Sequence, residues 1–426
     1  MKIKITSLVF IFIFSPLVQA QGLMSLELEK TIQRTSSNKA VGDLIFDDEI
    51  YSPKSVIFSS DNTKIYINSL EGYQTLVYSW PDLQKLKSIS HIFNSQNSHL
   101  FLNNETTIFD NPYYTKRSNK NEFKGKPVES TLTHGGRFLW VPYYRRDYDK
   151  FSQSPSALAI IDTLTDQIVR VMPTGPIPKY VQSTPDGRYL SVTHWGDNTI
   201  ALINIQSSDP FNFFYEKELT VGHKLDQSKI DITNRDGSSG CGYCLRGTVF
   251  TKDNKYMVVA RMGGSNYGLA VFNMDTFEYV GTIKGFKVSP RHLVIDNQNN
   301  LFISLNRAGY ISKIKIDESI RKLELSDSKL ITLKSSTDLH QEKYIGSGAR
   351  TIELSIDEKY LFVACKKSQK LFIIDSNTLE VVASSQTTPF PVGLDVSQDG
   401  AHVITTSQGY HGVGGNAVNI FRIEAH

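Results

Sequence analysis

Residues 178–206 read PKYVQSTPDGRYLSVTHWGDNTIALINIQ. A short β-prone run ends at Asp186-Gly187, a tight-turn pair, and a second run follows through His194. After the loop at Trp195–Asn198 comes a third, the apolar stretch Thr199–Ile205. β-branched and aromatic residues between D-G type turns are hairpin signals. The pattern recurs at 348–385, GARTIELSIDEKYLFVACKKSQKLFIIDSNTLEVVASS, where a fourth strand follows an N-x-L turn. It recurs again at 391–423, PVGLDVSQDGAHVITTSQGYHGVGGNAVNIFRI. Four strands repeating with a period in the forties are the blades of a β-propeller.

Aligning the first strand of each unit gives seven equivalent positions: Lys54, Glu129, Lys179, Arg246, Arg291, Arg350 and Val392. Their spacings run from 42 to 75 residues, the short ones bare blades and the long ones blades with insertions. The fold expected is all-β, a seven-bladed β-propeller forming one domain over 42–426, after a leader at 1–20 and an N-terminal segment at 21–41. The last unit reaches Ile423 with only three strands. Gly42–Ile50, GDLIFDDEI, is expected to supply the fourth and close the ring, because closure removes exposed sheet edges.

PDGRYLSVTHWGDNTIALIN and DEKYLFVACKKSQKLFIIDSNTLEVV resemble the bacterial YVTN β-propeller repeat, which is similar in turn to the seven-bladed lactonase-like propellers. The resemblance covers essentially the whole chain beyond the leader. It implies the fold, and it implies a family whose members include surface-layer, nucleic-acid-binding and enzymatic proteins. Fold does not decide function among them.

The N-terminus carries Lys2 and Lys4, an apolar run from Leu8 to Phe14 and the small-x-small site Val18-Gln19-Ala20. That run is too short to span a bilayer and reads as a cleavable export signal. A soluble periplasmic or secreted protein beginning at Gln21 is expected. The chain has 46 Lys and Arg against 43 Asp and Glu. Without the two leader lysines it is nearly neutral, so attraction for any partner must come from local arrangement. Neutrality and export argue against nucleic acid, whose binders carry a clear basic surplus.

In a propeller the first strand starts, and the second ends, at the same mouth of the central channel. The second set of positions is Asn68, Tyr143, His194, Arg261, Asn306, Lys366 and Ser407. Cations recur at equivalent positions around the ring, with Glu129 the one carboxylate. The insertions near 92–127, 222–244 and 334–347, and the loops 145–155 and 409–416, are expected on that face, where rigid scaffolds carry function. Tyr143-Tyr144 and His194-Trp195 offer either core packing or a stacking platform. Cys241 and Cys244 are expected to form a structural disulfide stiffening the rim, with a redox or metal role and free thiols the alternatives.

The reading is an exported, monomeric binding or scaffold propeller without a cofactor. An anionic metabolite, an acidic glycan, an envelope polymer or an envelope protein would dock at a mouth formed by Lys54, Glu129, Lys179, Arg246, Arg291, Arg350, Tyr143, His194, Trp195, Arg261, Asn306 and Lys366. Guanidinium groups suit such ligands because they bind carboxylate and phosphate in two-pronged fashion. The resemblance implies an alternative, a lactonase-like hydrolase using a divalent cation near Asn68, Glu129 and Asn306, or His194 or Glu129 as base. Surrounding arginines oppose a metal there. A nucleic-acid-binding propeller is the second alternative.

Overall fold

The computed structural model describes residues 24–37, 42–102, 120–152, 154–226, 229, 240–263, 267–409 and 414–425. The leader at 1–20 lies outside them, as do parts of the expected rim insertions, at 103–119, 227–228, 230–239 and 410–413.

Blade three is the plain case. Pro178–Ser183, Tyr189–His194, Thr199–Asn204 and Phe214–Thr220 form an antiparallel meander in that order. Side chains alternate across a strand, and here both faces are covered. Ile200 and Leu202 pack toward blade four, Ala201 and Ile203 toward blade two. That explains why the third strand is apolar throughout rather than every other residue. Seven such sheets arranged around a channel give seven seams, each with its own apolar core. The chain is therefore a seven-bladed β-propeller. Its one α-helix among the described residues, Ile316–Glu324, packs on blades four and five.

The turns that signalled the repeat also join the blades. Ser59, Thr184, Thr251, Ser355 and Ser397 donate to Asp61, Asp186, Asp253, Asp357 and Asp399 within their hairpins, at 2.5–2.7 Å. The next residue takes a positive φ, between 57° and 71°, a region Asn and Gly tolerate best. Where it has a side chain, that side chain accepts a backbone N–H from the preceding blade. Asn254 accepts from Asp186 at 3.0 Å, Glu358 from Asn297 at 3.0 Å and Asn62 from Gln398 at 3.1 Å.

The ring closes as expected in kind, but the strand is a different one. Met24–Gln33 pairs antiparallel with Ala417–Ala425 and supplies the fourth strand of blade seven. Asp43–Phe46, within the stretch expected to close the ring, lies outside it as a parallel fifth strand. The physical reason is length and pattern. Met24, Leu26 and Leu28 alternate with Ser25, Glu27 and Glu29 and pack toward the blade six–seven seam. A bulge between Leu28 and Lys30 then turns Ile32, fully buried, toward the blade seven–one seam. Four residues at Asp43–Phe46 cannot cover both seams.

Replacing Ile32 with Asp should therefore open the ring, because an unpaired carboxylate in an apolar seam costs on the order of 3 kcal/mol or more. Denaturant unfolding checks this. An unchanged midpoint, or an unchanged melt after deletion of residues 24–33, would mean that closure does not depend on this strand.

Candidate functional site

The mouth is built by a local irregularity repeated around the ring. In six blades the register between first and second strands slips at the first-strand position: between Pro53 and Val56, Pro178 and Tyr180, Leu245 and Thr248, Pro290 and Leu293, Ala349 and Thr351, and Pro391 and Gly393. Each slip is a β-bulge holding one extra residue, and bulges re-aim side chains. The bulged segments contain Lys54, Lys179, Arg246, Arg291, Arg350 and Val392. A hydroxyl of the preceding blade takes the carbonyl that a bulge frees from the ladder. Thr193 donates to the Arg246 carbonyl at 3.0 Å, Ser304 to that of Arg350 at 2.8 Å and Thr406 to that of Lys54 at 3.3 Å.

Two residues before each bulged position the backbone is left-handed, at Ser52, Ile177, Cys244, Ser289, Gly348 and Phe390. The carbonyl of each accepts an N–H from the end of its second strand, for example from Trp195 to Ile177 at 2.9 Å and from Asn306 to Ser289 at 2.9 Å. Only one of the six is glycine, so nothing in residue type announces the turn. The sequence did carry a fainter sign: the cation follows proline in Pro53-Lys54, Pro178-Lys179 and Pro290-Arg291.

The charged residues do come together. Glu129 Oε1 stands 4.0 Å from Lys54 Nζ and 4.0 Å from Arg291 Nη2. Lys54, Arg291 and Arg350 are buried, and Lys179, Arg246 and Glu129 are half-buried. Burial alone would raise the Glu129 carboxyl, but Lys54, Arg246, Arg291 and Arg350 outweigh it and hold it at about 2. Burial pushes Lys54 and Lys179 well below the usual lysine range, with Arg350 adding most to the first and Arg246 to the second. Burial and then Arg246 lower Arg350 to about 10. Burial, then Arg350 and Arg291, bring Lys366 to about 7. The Nε atoms of Arg246 and Arg350 and Oε2 of Glu129 are buried without a hydrogen bond. Several like charges are thus held in a water-poor mouth with one carboxylate between them, an arrangement that favours an incoming anion.

Aromatic rings carry the outer cations. Lys179 Nζ sits 3.6 Å from the Tyr144 ring centre and 5.8 Å from that of Trp195. Arg261 lies 3.9 Å from Tyr243, and Arg350 and Lys366 lie 5.7 and 5.3 Å from Phe390. Cys241 and Cys244 are disulfide-bonded, and they pack with Ile177 and Trp195 in a small buried cluster separate from the seams. Tyr243 and Phe390 were not among the candidate residues read from sequence, because each lies in a turn that the repeat does not specify.

Four candidates do other work. Tyr143 is fully buried between blades one and two and hydrogen-bonds His91 at 2.9 Å. Blade two's second strand, Phe138–Arg146, runs past Thr131–Thr133 to pair with Phe123–Pro127, so Tyr143 falls inside the strand and Tyr144 reaches the mouth. A side chain at Gly125 would sit 2.6 Å from the Tyr143 ring, so that packing requires glycine. His194 is fully buried, with Nε2 2.7 Å from the Thr174 hydroxyl and Nδ1 2.7 Å from that of Thr199. It is enclosed between blades two and three and is no base for the mouth. Asn68 and Asn306 spend their amides on backbone carbonyls of the next blade, Val128 and Ala349, the latter at 3.0 Å. That leaves Glu129 as the one oxyanion ligand in the set offered to a divalent cation. No cluster of three His, Cys, Asp or Glu suited to a metal occurs among the described residues.

Deeper on the innermost strands lie groups the sequence reading passed over. Burial raises Glu353 to about 8, with Asp395 adding to it, and burial raises Asp395 to about 7. His292, beside Tyr180 at 5.1 Å between ring centres, is lowered by burial to about 4.

Two outcomes follow. Burial lowers His91 and His194 to about 3, so both are neutral in the fold and protonate near 6.5 when unfolded. Their contribution is complete above pH 6.5 and is lost as pH falls toward 3. Stability at pH 4 should be lower than at pH 7 by on the order of 2–3 kcal/mol per histidine, and His194→Asn should flatten the profile; equal slopes in variant and wild type would refute this. Replacing Cys241 and Cys244 with Ser should shift Trp195 emission to the red while unfolding stays cooperative. Unchanged fluorescence would separate the disulfide from the rim cluster.

No protein-family model matches the chain. Antigen Lp49 of Leptospira interrogans is 27% identical over 179 residues, 37% of this chain and 35% of that protein, so the match spans about a third of each. Hydrazine synthase of Kuenenia stuttgartiensis superposes with a TM-score of 0.58 at 12% identity, covering 91% of this chain and 98% of that one. The Cps50 (Swd1) β-propeller domain of Myceliophteria thermophila gives 0.56 at 9%, covering 92% and 99%. At such identities the structural likeness establishes the propeller fold and nothing finer.

Proposed function

We propose that this propeller is an exported binding or scaffold module of the YVTN-repeat kind that recognises an anionic ligand at its basic mouth. The observation carrying the proposal is the convergence of Lys54, Arg246, Arg291 and Arg350 on a single carboxylate, Glu129, in a buried setting. An ion pair built only for stability would match its charges; this group leaves cations in excess. Export is supported by the leader-like residues 1–20 and by the disulfide, which persists in oxidising compartments. No helix among the described residues is long and apolar enough to cross a membrane. The antigen with partial similarity is compatible with an outward location.

Hydrolysis gains no support from the mouth. His194 is enclosed, and Glu129, held at about 2, is too weak a base to take a proton from water near neutral pH.

Replacing Arg246, Arg291 or Arg350 with Ala should each weaken binding of an anionic ligand by about 1.5–3 kcal/mol. Lysine at the same positions should rescue only in part, because it lacks the planar fork. Calorimetry with a panel of acidic oligosaccharides, phosphates and lactones reads this out, beside a turnover assay. A folded triple Arg→Ala protein binding as tightly as wild type would end the proposal.

A further inference from the structure

The site narrows the ligand beyond its sign. Three guanidinium and two amine side chains, Arg246, Arg291, Arg350, Lys54 and Lys179, face one carboxylate. A ligand carrying a single negative charge would leave most of that excess unopposed. Glu129 does not satisfy it either. Its Oε1 is 4.0 Å from both nearest cations, beyond hydrogen-bond distance, and its Oε2 has no partner. The carboxylate is a counter-charge held at arm's length between groups that still have donors to give, among them the Nε atoms of Arg246 and Arg350.

The mouth's polar groups are almost all donors. Lysine and arginine accept nothing, and the indole N–H of Trp195, buried beside Lys179 without a partner, is a donor as well. A sugar hydroxyl both donates and accepts, so a mouth of donors meets only its accepting side, and Glu129 is the one carboxylate in the ring to take its proton. Two of the rings already carry a cation on one face, Tyr144 with Lys179 at 3.6 Å and Tyr243 with Arg261 at 3.9 Å, which leaves less aromatic surface for sugar stacking. Blades four, five and six are consecutive, so their three bulged arginines come from neighbouring strands toward one point. One compact head bearing two charges on several terminal oxygens answers such convergence. A dicarboxylate spreads the same charge over two planar ends.

We infer that the ligand is a phosphate-bearing molecule, its dianionic head seated among Arg246, Arg291, Arg350 and Lys54, with Glu129 the internal counter-ion that it displaces. This rests on the anion-binding reading and deepens it.

Calorimetry on the full mature chain at constant ionic strength tests it, with inorganic phosphate, pyrophosphate, glycerol phosphate, succinate and acetate as probes. Phosphate and pyrophosphate should bind at least ~10-fold tighter than succinate and ~100-fold tighter than acetate. Glu129→Gln, which removes the competing charge, should tighten phosphate by ~10-fold or more; Glu129→Ala, equally uncharged, serves if that variant fails to fold. Vesicles containing phosphatidic acid distinguish a lipid headgroup from the soluble ester, and preference for either supports the phosphate head. Succinate or acetate matching phosphate, with Arg291→Ala still weakening them, would overturn this inference and leave anion binding standing. No binding of any probe, or binding indifferent to Arg291→Ala, would overturn both.

Discussion

Pairing of Met24–Gln33 with Ala417–Ala425 is the constraint on which the rest of the molecule depends. A propeller has no central core. Its apolar area is divided among seven seams, and each seam exists only while both neighbouring blades stay in place. The seam between blades seven and one joins Ile32 and Ile404 to Ile50 and Phe58, so the two ends of the chain meet in one buried cluster. Without that clasp, blade seven would present an unpaired edge and two half-covered faces, and the strain would fall on every other seam.

Closure also lets the mouth hold charge that an open sheet would shed. Lys54 belongs to blade one, and the Thr406 hydroxyl that secures its carbonyl belongs to blade seven. Arg246 and Arg350 are secured by the blades before them in the same way. The cations therefore stand on backbone fixed by neighbours on both sides and cannot simply swing apart. Their mutual repulsion is stored in the ring, which is why burial and neighbouring charge push the lysines so far from their ordinary range. The opposite face carries the conventional part of the structure, where Asn62, Asn254 and Glu358 reach back to the preceding turn.

The fold was legible because the repeat is written in local chemistry. Ser/Thr-x-Asp turns, residues tolerant of positive φ and two-sided apolar strands recur with the same spacing, and each is a short-range preference. The first-strand ring was legible for the same reason, since one alignment places all seven positions. The second ring was read less well. His194 and Asn306 sit where the alignment puts them, yet a buried histidine bonded to two threonines and an amide bonded to a backbone carbonyl look identical in sequence to ligands. Tyr143 and Tyr144 were exchanged in role by the added pairing with Phe123–Pro127, a long-range contact within an insertion.

The sequence by itself determined the blade, the number of blades, the basic character of the positions that open them and closure from the N-terminal side, because these follow from period, turn type and residue polarity. Tertiary structure alone decided which N-terminal strand closes the ring, which tyrosine meets Lys179, and that the cations crowd around Glu129 rather than standing apart in solvent. Those outcomes depend on bulges, seam packing and distances between residues far apart in the chain, and no local preference encodes them.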